Sequence, residues 1–163
     1  CTDIVARSYY YNYDLPVTVT RCSNLYGGGD VNFTRLIPNT ISRILHGKSP
    51  MIWNGVADWK REFVYVDDAV DACLLLSDEI KLTKGLAWNV GGESIFTIKE
   101  VVQQIINKID KDVDIIYKEK NFPEIEDQYL DSWKIKQMGW KAKTSFDKGL
   151  DESINFYKNY YGK

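Results

Sequence analysis

Apolar residues recur at intervals of three or four positions in six stretches of the chain. This is the spacing of a helix with one buried face. The clearest stripe runs from Phe33 to Leu45, with Pro38 near its first turn and Gly47 as its stop. A helix interior excludes proline but accepts it in the first turn, and glycine commonly follows the last turn. The pattern predicts helices over residues 1–13, 33–45, 69–77, 98–109, 132–138 and 146–161.

Short runs rich in β-branched and aromatic residues lie between these helices. Such runs, bounded by turn residues, are typical of strands. They predict strands over 17–20, 62–66, 86–90 and 113–117, and a polar loop over 118–128. The alternation of strands and helices indicates an α/β fold. Three helix starts are also predicted: a cap at Asp67 or Asp68, a capping box at Thr97–Glu100, and a second box at Thr144–Asp147.

Composition places the chain among globular proteins. It has 163 residues, 44% of them apolar and 27% charged, with a net charge of −2. This length suits one domain, and the absence of a basic block argues against a nucleic-acid or membrane-surface partner. No apolar run is long enough to span a bilayer. Cys1, Cys22 and Cys73 are odd in number and widely spaced, which favours free thiols in a reducing cytoplasm.

Pattern alone offers few candidates for chemistry. His46 is the one histidine and ends a helical stripe, so we predict a surface residue and no metal site. Asp67 and Asp68 are adjacent at a helix start, which favours a capping role over an acid/base pair. Gly27–Gly29 lacks the spacing of a phosphate-binding loop. It follows a strand, however, and ligands bind beyond the carboxyl ends of strands in open α/β sheets. We therefore interpret it as part of a binding site.

Four motifs, taken in order, resemble the carboxyl-terminal half of the extended short-chain dehydrogenase/reductases that act on nucleotide sugars. Each motif is weak alone, but together they cover the whole chain. They are Thr20–Gly27 (R-x-x-N-x-Y-G), Arg61–Asp68 (R-D-[FY]-x-[YH]-V-x-D), Trp88–Gly92 (Y-N-[IV]-G), and Asp131 through Leu150 (D-x-x-K…x-G-W…S-x-x-x-G-L). Two further segments, Gly27–Pro38 and Gln128–Asp131, are most similar to CDP-glucose 4,6-dehydratase and related dehydratases.

The resemblance implies an NAD- or NADP-dependent reaction in which hydride leaves sugar C4, water is lost across C5–C6, and hydride returns at C6. Relatives hold the cofactor in an amino-terminal Rossmann half and use a Y-x-x-x-K pair just ahead of a segment like Cys1–Asp3. This sequence contains neither motif. It also begins at Cys1 in mid-helix, so we expect a piece of a longer polypeptide that is not catalytic by itself.

The same resemblance implies where the domains lie in the chain and which residues form the binding site. Residues 1–30 would be the last helix and strand of the Rossmann domain. Residues 31–163 would be mainly the substrate lobe, with 62–92 returning to the sheet. By resemblance, Asn24 contacts sugar or pyrophosphate, Arg35 faces the diphosphate, and Arg61 binds phosphate or ribose. Ile52 and Asn54 would surround the nucleobase. The residues themselves leave open that Asn24 caps a turn and that Arg61 forms a surface ion pair with Glu62 or Asp58.

Other features of the resemblance bear on partners and on departures from the family pattern. Relatives commonly form homodimers through helices that include 1–13, whose tyrosines suit burial. Many relatives carry an arginine before the D-x-x-K motif, whereas Glu124–Gln128 offers none, and Glu62 replaces the usual aspartate. Two alternatives stay open: a nucleotide-sugar 4-epimerase of the same family, and a non-catalytic nucleotide-sugar binding or assembly module.

Overall fold

A computed structural model describes residues 1–109, 112–120 and 123–163. Its helices are α1 (Thr2–Tyr13), α2 (Leu36–Leu45), α3 (Val66–Asp78), α4 (Ile80–Thr83), α5 (Ile98–Ile109), α6 (Trp133–Lys136) and α7 (Phe146–Tyr160). Its strands are β1 (Val19–Cys22), β2 (Asn24–Tyr26), β3 (Met51–Trp53), β4 (Lys60–Tyr65), β5 (Ala87–Val90), β6 (Ile95–Thr97) and β7 (Ile116–Lys118). Within the described part of the chain, no helix combines the length and apolar character needed to cross a membrane.

The described strands form small sheets in which parallel pairing prevails. β1 pairs with β5, β2 with β4, and β3 with β7, all in parallel. β6 completes the sheet of β2 and β4 as an antiparallel neighbour of β4. Parallel neighbours need crossover connections, which the helices supply. The predicted α/β class is confirmed, and the register places the ends of β2 and β4 side by side.

The main core lies where α2, α5 and α7 cover the sheet of β2, β4 and β6. Ile41 and Ile44 of α2, Ile105 of α5 and Tyr157 of α7 are completely buried there. Their helical spacing in the sequence is therefore the spacing of the buried faces. A second apolar cluster joins α3, β5 and α6 through buried residues such as Trp88.

Several strands begin or end at residues other than those predicted from the sequence. The first strand was predicted over 17–20 but occupies Val19–Cys22, because the Val17 N–H donates to the Leu15 carbonyl oxygen at 2.7 Å in a turn rather than to a neighbouring strand. The strand predicted over 113–117 is confined to Ile116–Lys118, which pair with β3. Helix α4 and strands β2, β3 and β6 were not predicted, since none exceeds four residues. Such short elements are stabilised by their neighbours rather than by their own sequence.

Two of the three predicted helix starts are wrong. Thr97 and Glu100 do form a reciprocal box, with backbone N–H groups donating at 2.7 and 3.1 Å. The later helix is capped by Ser145 rather than Thr144. Asp68 does not cap α3, which begins at Val66. Its buried carboxylate instead accepts two backbone N–H groups of residues 143–144, at 2.9 and 3.0 Å, and so holds the chain ahead of α7.

Candidate functional site

A cavity of about 730 Å³ opens beside the carboxyl ends of β2 and β3 and the start of α2. Four of the five predicted site residues lie in its wall: Asn24, Arg35, Ile52 and Arg61. The fifth, Asn54, is not among the lining residues. Chain segments far apart in the sequence thus meet at one space, which is large enough for a small organic ligand.

Asn24 occupies the first position of β2, where that strand pairs with Phe63 of β4. Its side-chain amide donates a hydrogen bond to the carbonyl oxygen of Glu62 at 2.9 Å. The side-chain N–H group of Asn24 is therefore engaged in a hydrogen bond that joins β2 to β4 at the edge of the site. A contact with a ligand hydroxyl would fall to the amide oxygen, and that role stays a prediction.

Arg61 is the most constrained charged residue of the cavity wall. Only 6% of it is exposed, and its guanidinium lies 5.9 Å from the ring centre of Trp59. One terminal nitrogen, Nη1, donates to the carbonyl oxygens of Lys60 and Glu126 at 2.9 and 2.7 Å. The sequence suggested Glu62 or Asp58 as an ion-pair partner at the surface. The structure instead buries Arg61 and pairs it elsewhere.

The second terminal nitrogen of Arg61 faces the segment that the sequence described only as a polar loop. Nη2 donates to the carbonyl oxygen of Ile125 at 2.7 Å and to the Glu124 carboxylate at 3.0 Å. Glu124 itself lines the cavity. Sequence reasoning missed this residue, because nothing in the spacing of Glu124 and Arg61 shows that they meet. Asn121 and Phe122, in the same predicted loop, lie outside the described residues.

Arg35 and the two predicted nucleobase residues have different surroundings. Arg35 precedes α2, is 57% exposed in its side chain, and pairs with Asp30 at 3.2 Å. An exposed pair of this kind holds its partners weakly, so Arg35 can reorient toward a ligand. Ile52 is buried in β3 and gives the cavity an apolar wall. Asn54 donates to Glu119 at 2.7 Å, outside that wall.

One phenol of this wall, that of Tyr26, is unsuited to act as a base. Burial raises the pKa of the Tyr26 phenol, which lines the cavity, well above its ordinary value of 10.0. A phenol that keeps its proton at neutral pH cannot act as a general base. Outside the cavity, His46 is exposed, as predicted. Arg21 forms an ion pair with Asp3, at 2.5 Å.

Glu62, beside Arg61, is an almost fully buried carboxylate, 5% exposed. It accepts the Leu130 N–H at 3.1 Å, and its oxygens leave no room for a side chain at Gly91. Burial raises its pKa above the ordinary 4.5, and the hydrogen bond from Leu130 only partly opposes this. The folded chain therefore binds this proton more tightly than the unfolded chain. The resulting stabilisation is complete below pH 4.5 and is lost as pH rises through the raised pKa.

We expect Glu62→Gln to remove this pH dependence, since glutamine keeps the shape and the acceptor oxygen. The melting temperature of the variant should rise relative to that of the wild type as pH increases from about 4 to about 8. Thermal unfolding followed by circular dichroism across that range measures the difference. Glu93→Gln, at an exposed carboxylate of the next loop, is the control. Parallel curves for wild type and Glu62→Gln would contradict the assignment.

Comparison with known proteins agrees with this architecture. Residues 1–153 match the family described as GDP-mannose 4,6 dehydratase. The chain belongs to this family. It is 31% identical over 166 residues to the dTDP-glucose 4,6-dehydratase of Salmonella typhimurium, an alignment that covers 96% of this chain and 45% of that relative. The resemblance to nucleotide-sugar dehydratases and epimerases of the extended short-chain dehydrogenase/reductase type is thus confirmed.

Solved structures show the same fold. The dTDP-glucose 4,6-dehydratase of Bacillus anthracis, crystallised in complex with NAD, is 31% identical and superposes with a TM-score of 0.84 over 96% of this chain and 49% of its own. UDP-glucose 4-epimerase from Thermotoga maritima gives a TM-score of 0.89, with 98% and 52% covered. At 24% identity that likeness concerns the fold alone. The chain spans about half the length of the relatives it matches.

Proposed function

We propose that this chain carries the sugar-nucleotide-binding residues of a nucleotide-sugar 4,6-dehydratase. The observation that supports it best is the buried Arg61 in the wall of a 730 Å³ cavity. Its guanidinium can make a charge-assisted hydrogen bond to a phosphate oxygen through the N–H that Glu124 accepts. Its burial raises the strength of that interaction, because the surrounding dielectric is low.

The rest of the cavity fits the other parts of such a ligand. Arg35, at the same wall, brings a second cation to the diphosphate. Ile52 and the neighbouring Trp53 provide apolar surface for the nucleobase, and Asn24 provides an amide for sugar or pyrophosphate. Asn54 is 2.7 Å from Glu119 and would contact the base only after leaving it. The resemblance favours CDP as the nucleotide.

The chemistry of the whole reaction would involve groups beyond these. NAD, which the Bacillus anthracis relative binds, would carry the hydride, but the sequence has no G-x-G-x-x-G run to cradle its pyrophosphate. No step of the hydride transfer is therefore assigned to residues of this chain. We propose that the cofactor and the tyrosine–lysine pair belong to a further segment of the same protein. Residues 1–30 and 62–92 would adjoin it, and 31–163 would mainly hold the substrate.

We also propose a homodimer that uses α1. No residue of this helix is buried in the described chain. Ile4 and Tyr13 are each 74% exposed, and the rings of Tyr9 and Tyr13 lie 5.4 Å apart on the same surface. Tyr10 differs, since it packs against Gly85. Apolar surface of this extent is typical of an interface. The free thiols fit the reducing cytoplasm as the location.

Titration calorimetry of the full-length protein with CDP, dTDP, UDP and GDP tests the binding proposal. At least one diphosphate is expected to bind with a dissociation constant of about 100 μM or tighter, while the matching nucleoside binds far more weakly. Incubation of the corresponding glucose derivative with NAD, followed by NMR, then identifies the reaction. A 4-keto-6-deoxy sugar supports the dehydratase, and a C4 epimer supports the epimerase. Failure of all four diphosphates to bind would refute the proposal.

A further inference from the structure

The acceptors around Arg61 are of two kinds. Three are backbone carbonyl oxygens, of Lys60, Ile125 and Glu126, and these cannot leave without movement of the chain. The fourth is the carboxylate of Glu124, whose side chain is 37% exposed. Rotation of that side chain would free one N–H of Arg61 toward the cavity and leave the other three hydrogen bonds in place.

Charge distinguishes Glu124 from the rest of the cavity wall. Among the described lining residues, the charged ones are Arg35, Arg61 and Glu124. The carboxylate cancels the charge of the buried guanidinium in the absence of ligand, which limits the cost of burying it. The same carboxylate repels an incoming diphosphate. A carboxylate oxygen and a phosphate oxygen also make the same charge-assisted hydrogen bond to a guanidinium.

We propose that Glu124 occupies the position of a ligand phosphate oxygen on Arg61 and exchanges with it when the nucleotide binds. Glu124 is thus a determinant of affinity: each diphosphate that binds must displace it. The inference rests on the proposed function, since it assumes a diphosphate in this cavity. The segment Glu124–Gln128 has no lysine or arginine to bind phosphate, and through Glu124 it competes with the ligand for Arg61.

The test compares Glu124→Gln with the wild type in the full-length protein, using the diphosphate that binds most tightly among the four. Glutamine keeps an oxygen that accepts from Nη2, so Arg61 stays oriented, but the competing charge is gone. We expect the dissociation constant to fall about tenfold, which corresponds to removing one like charge near the ligand. Glu124→Ala should also tighten binding, because the site of exchange becomes vacant.

Glu126→Gln is the matched control. It removes the same charge from the same segment, but Glu126 contacts Arg61 only through its backbone carbonyl. Its dissociation constant should stay within about twofold of the wild-type value. The nucleoside without phosphates is the second control. Its affinity should not change in Glu124→Gln, because there is no phosphate to replace the carboxylate.

The outcomes separate this inference from the proposed function. Tighter binding by Glu124→Gln, with Glu126→Gln unchanged, supports the exchange. Unchanged or weaker binding by Glu124→Gln would show that the carboxylate merely orients Arg61, and equal tightening by both variants would show a general charge effect. If the wild-type protein binds a diphosphate, either result overturns the inference and leaves the proposed function standing. If neither the wild type nor Glu124→Gln binds any diphosphate, the proposed function fails as well.

Discussion

Replacing Arg61 by alanine is expected to weaken nucleoside diphosphate binding at least about 100-fold, a loss in the range measured for buried charge-assisted contacts. The guanidinium is the only cation among the described residues that is buried in the cavity wall. No other described group of the wall can supply a buried positive charge to the phosphate, since Arg35 lies at the exposed end. Calorimetry of the full-length variant with the diphosphate that the wild type binds measures the loss.

The same substitution should lower the free energy of unfolding by about 3 kcal/mol. It removes four hydrogen bonds, among them those to the Ile125 and Glu126 carbonyl oxygens, and opens a cavity next to Trp59. The Lys60 carbonyl oxygen keeps the Gln128 N–H as a donor. Arg35→Ala is the comparison for stability, because its exposed ion pair should contribute less than about 1 kcal/mol. Urea unfolding of the two variants measures both values.

Arg61→Lys keeps the proposal testable if the alanine variant does not fold. Lysine keeps the charge but cannot donate to four acceptors in one plane. The variant should fold and bind the diphosphate about tenfold more weakly than the wild type. Wild-type affinity in either folded variant would contradict a phosphate role for Arg61.

Gly92→Ala is expected to lower the free energy of unfolding strongly, although it adds only one methyl group. A side-chain carbon at Gly92 would overlap the Phe63 carbonyl oxygen, which belongs to the backbone of β4. Backbone of a paired strand cannot move aside as a flexible side chain can. We expect a loss of about 3 kcal/mol or more in the free energy of unfolding, at the upper end for overpacking.

Ser94→Ala is the control for this prediction. It introduces the same residue two positions later, at an exposed side chain of the same loop. Its unfolding free energy should stay within about 0.5 kcal/mol of the wild type. Urea unfolding followed by tryptophan fluorescence compares the two. If Gly92→Ala were as stable as Ser94→Ala, the backbone of β4 would have moved to make room for the methyl group, and the steric argument would be wrong.

The two glycines that end β5 show the limit of what the sequence could predict. A strand was predicted over 86–90, and Gly91 and Gly92 directly follow β5, which ends at Val90. The reason for glycine there is close approach: the Glu62 carboxylate occupies the space at Gly91, and the Phe63 carbonyl that at Gly92. The local sequence pattern indicates that a turn is favourable, but it does not indicate which distant part of the backbone packs against that turn.

The site was predictable to a similar extent. Motif resemblance predicted binding roles for Asn24, Arg35, Ile52 and Arg61, and the fold brings these four residues to one cavity. It could not predict the partner of Arg61, because an ion pair between positions 61 and 124 leaves no periodic signal. The long helical stripes were predicted well for the opposite reason, since burial of one helix face repeats every three to four residues. Asp68 was misassigned because its acceptor role depends on backbone more than 70 positions away.

The strand pairings also have a consequence for how the chain is made. Val19 pairs with Ala87, and Met51 pairs with Ile116, so each partner is synthesised long after its strand. At about 5–20 residues per second, β1 would wait roughly 3–14 s on the ribosome before β5 exists. Until then the edge of β1 that pairs with β5 keeps its backbone donors and acceptors open to other chains. Such non-local pairing is intrinsically slow to fold, and it prolongs the time during which the unpaired strand edge is exposed to aggregation.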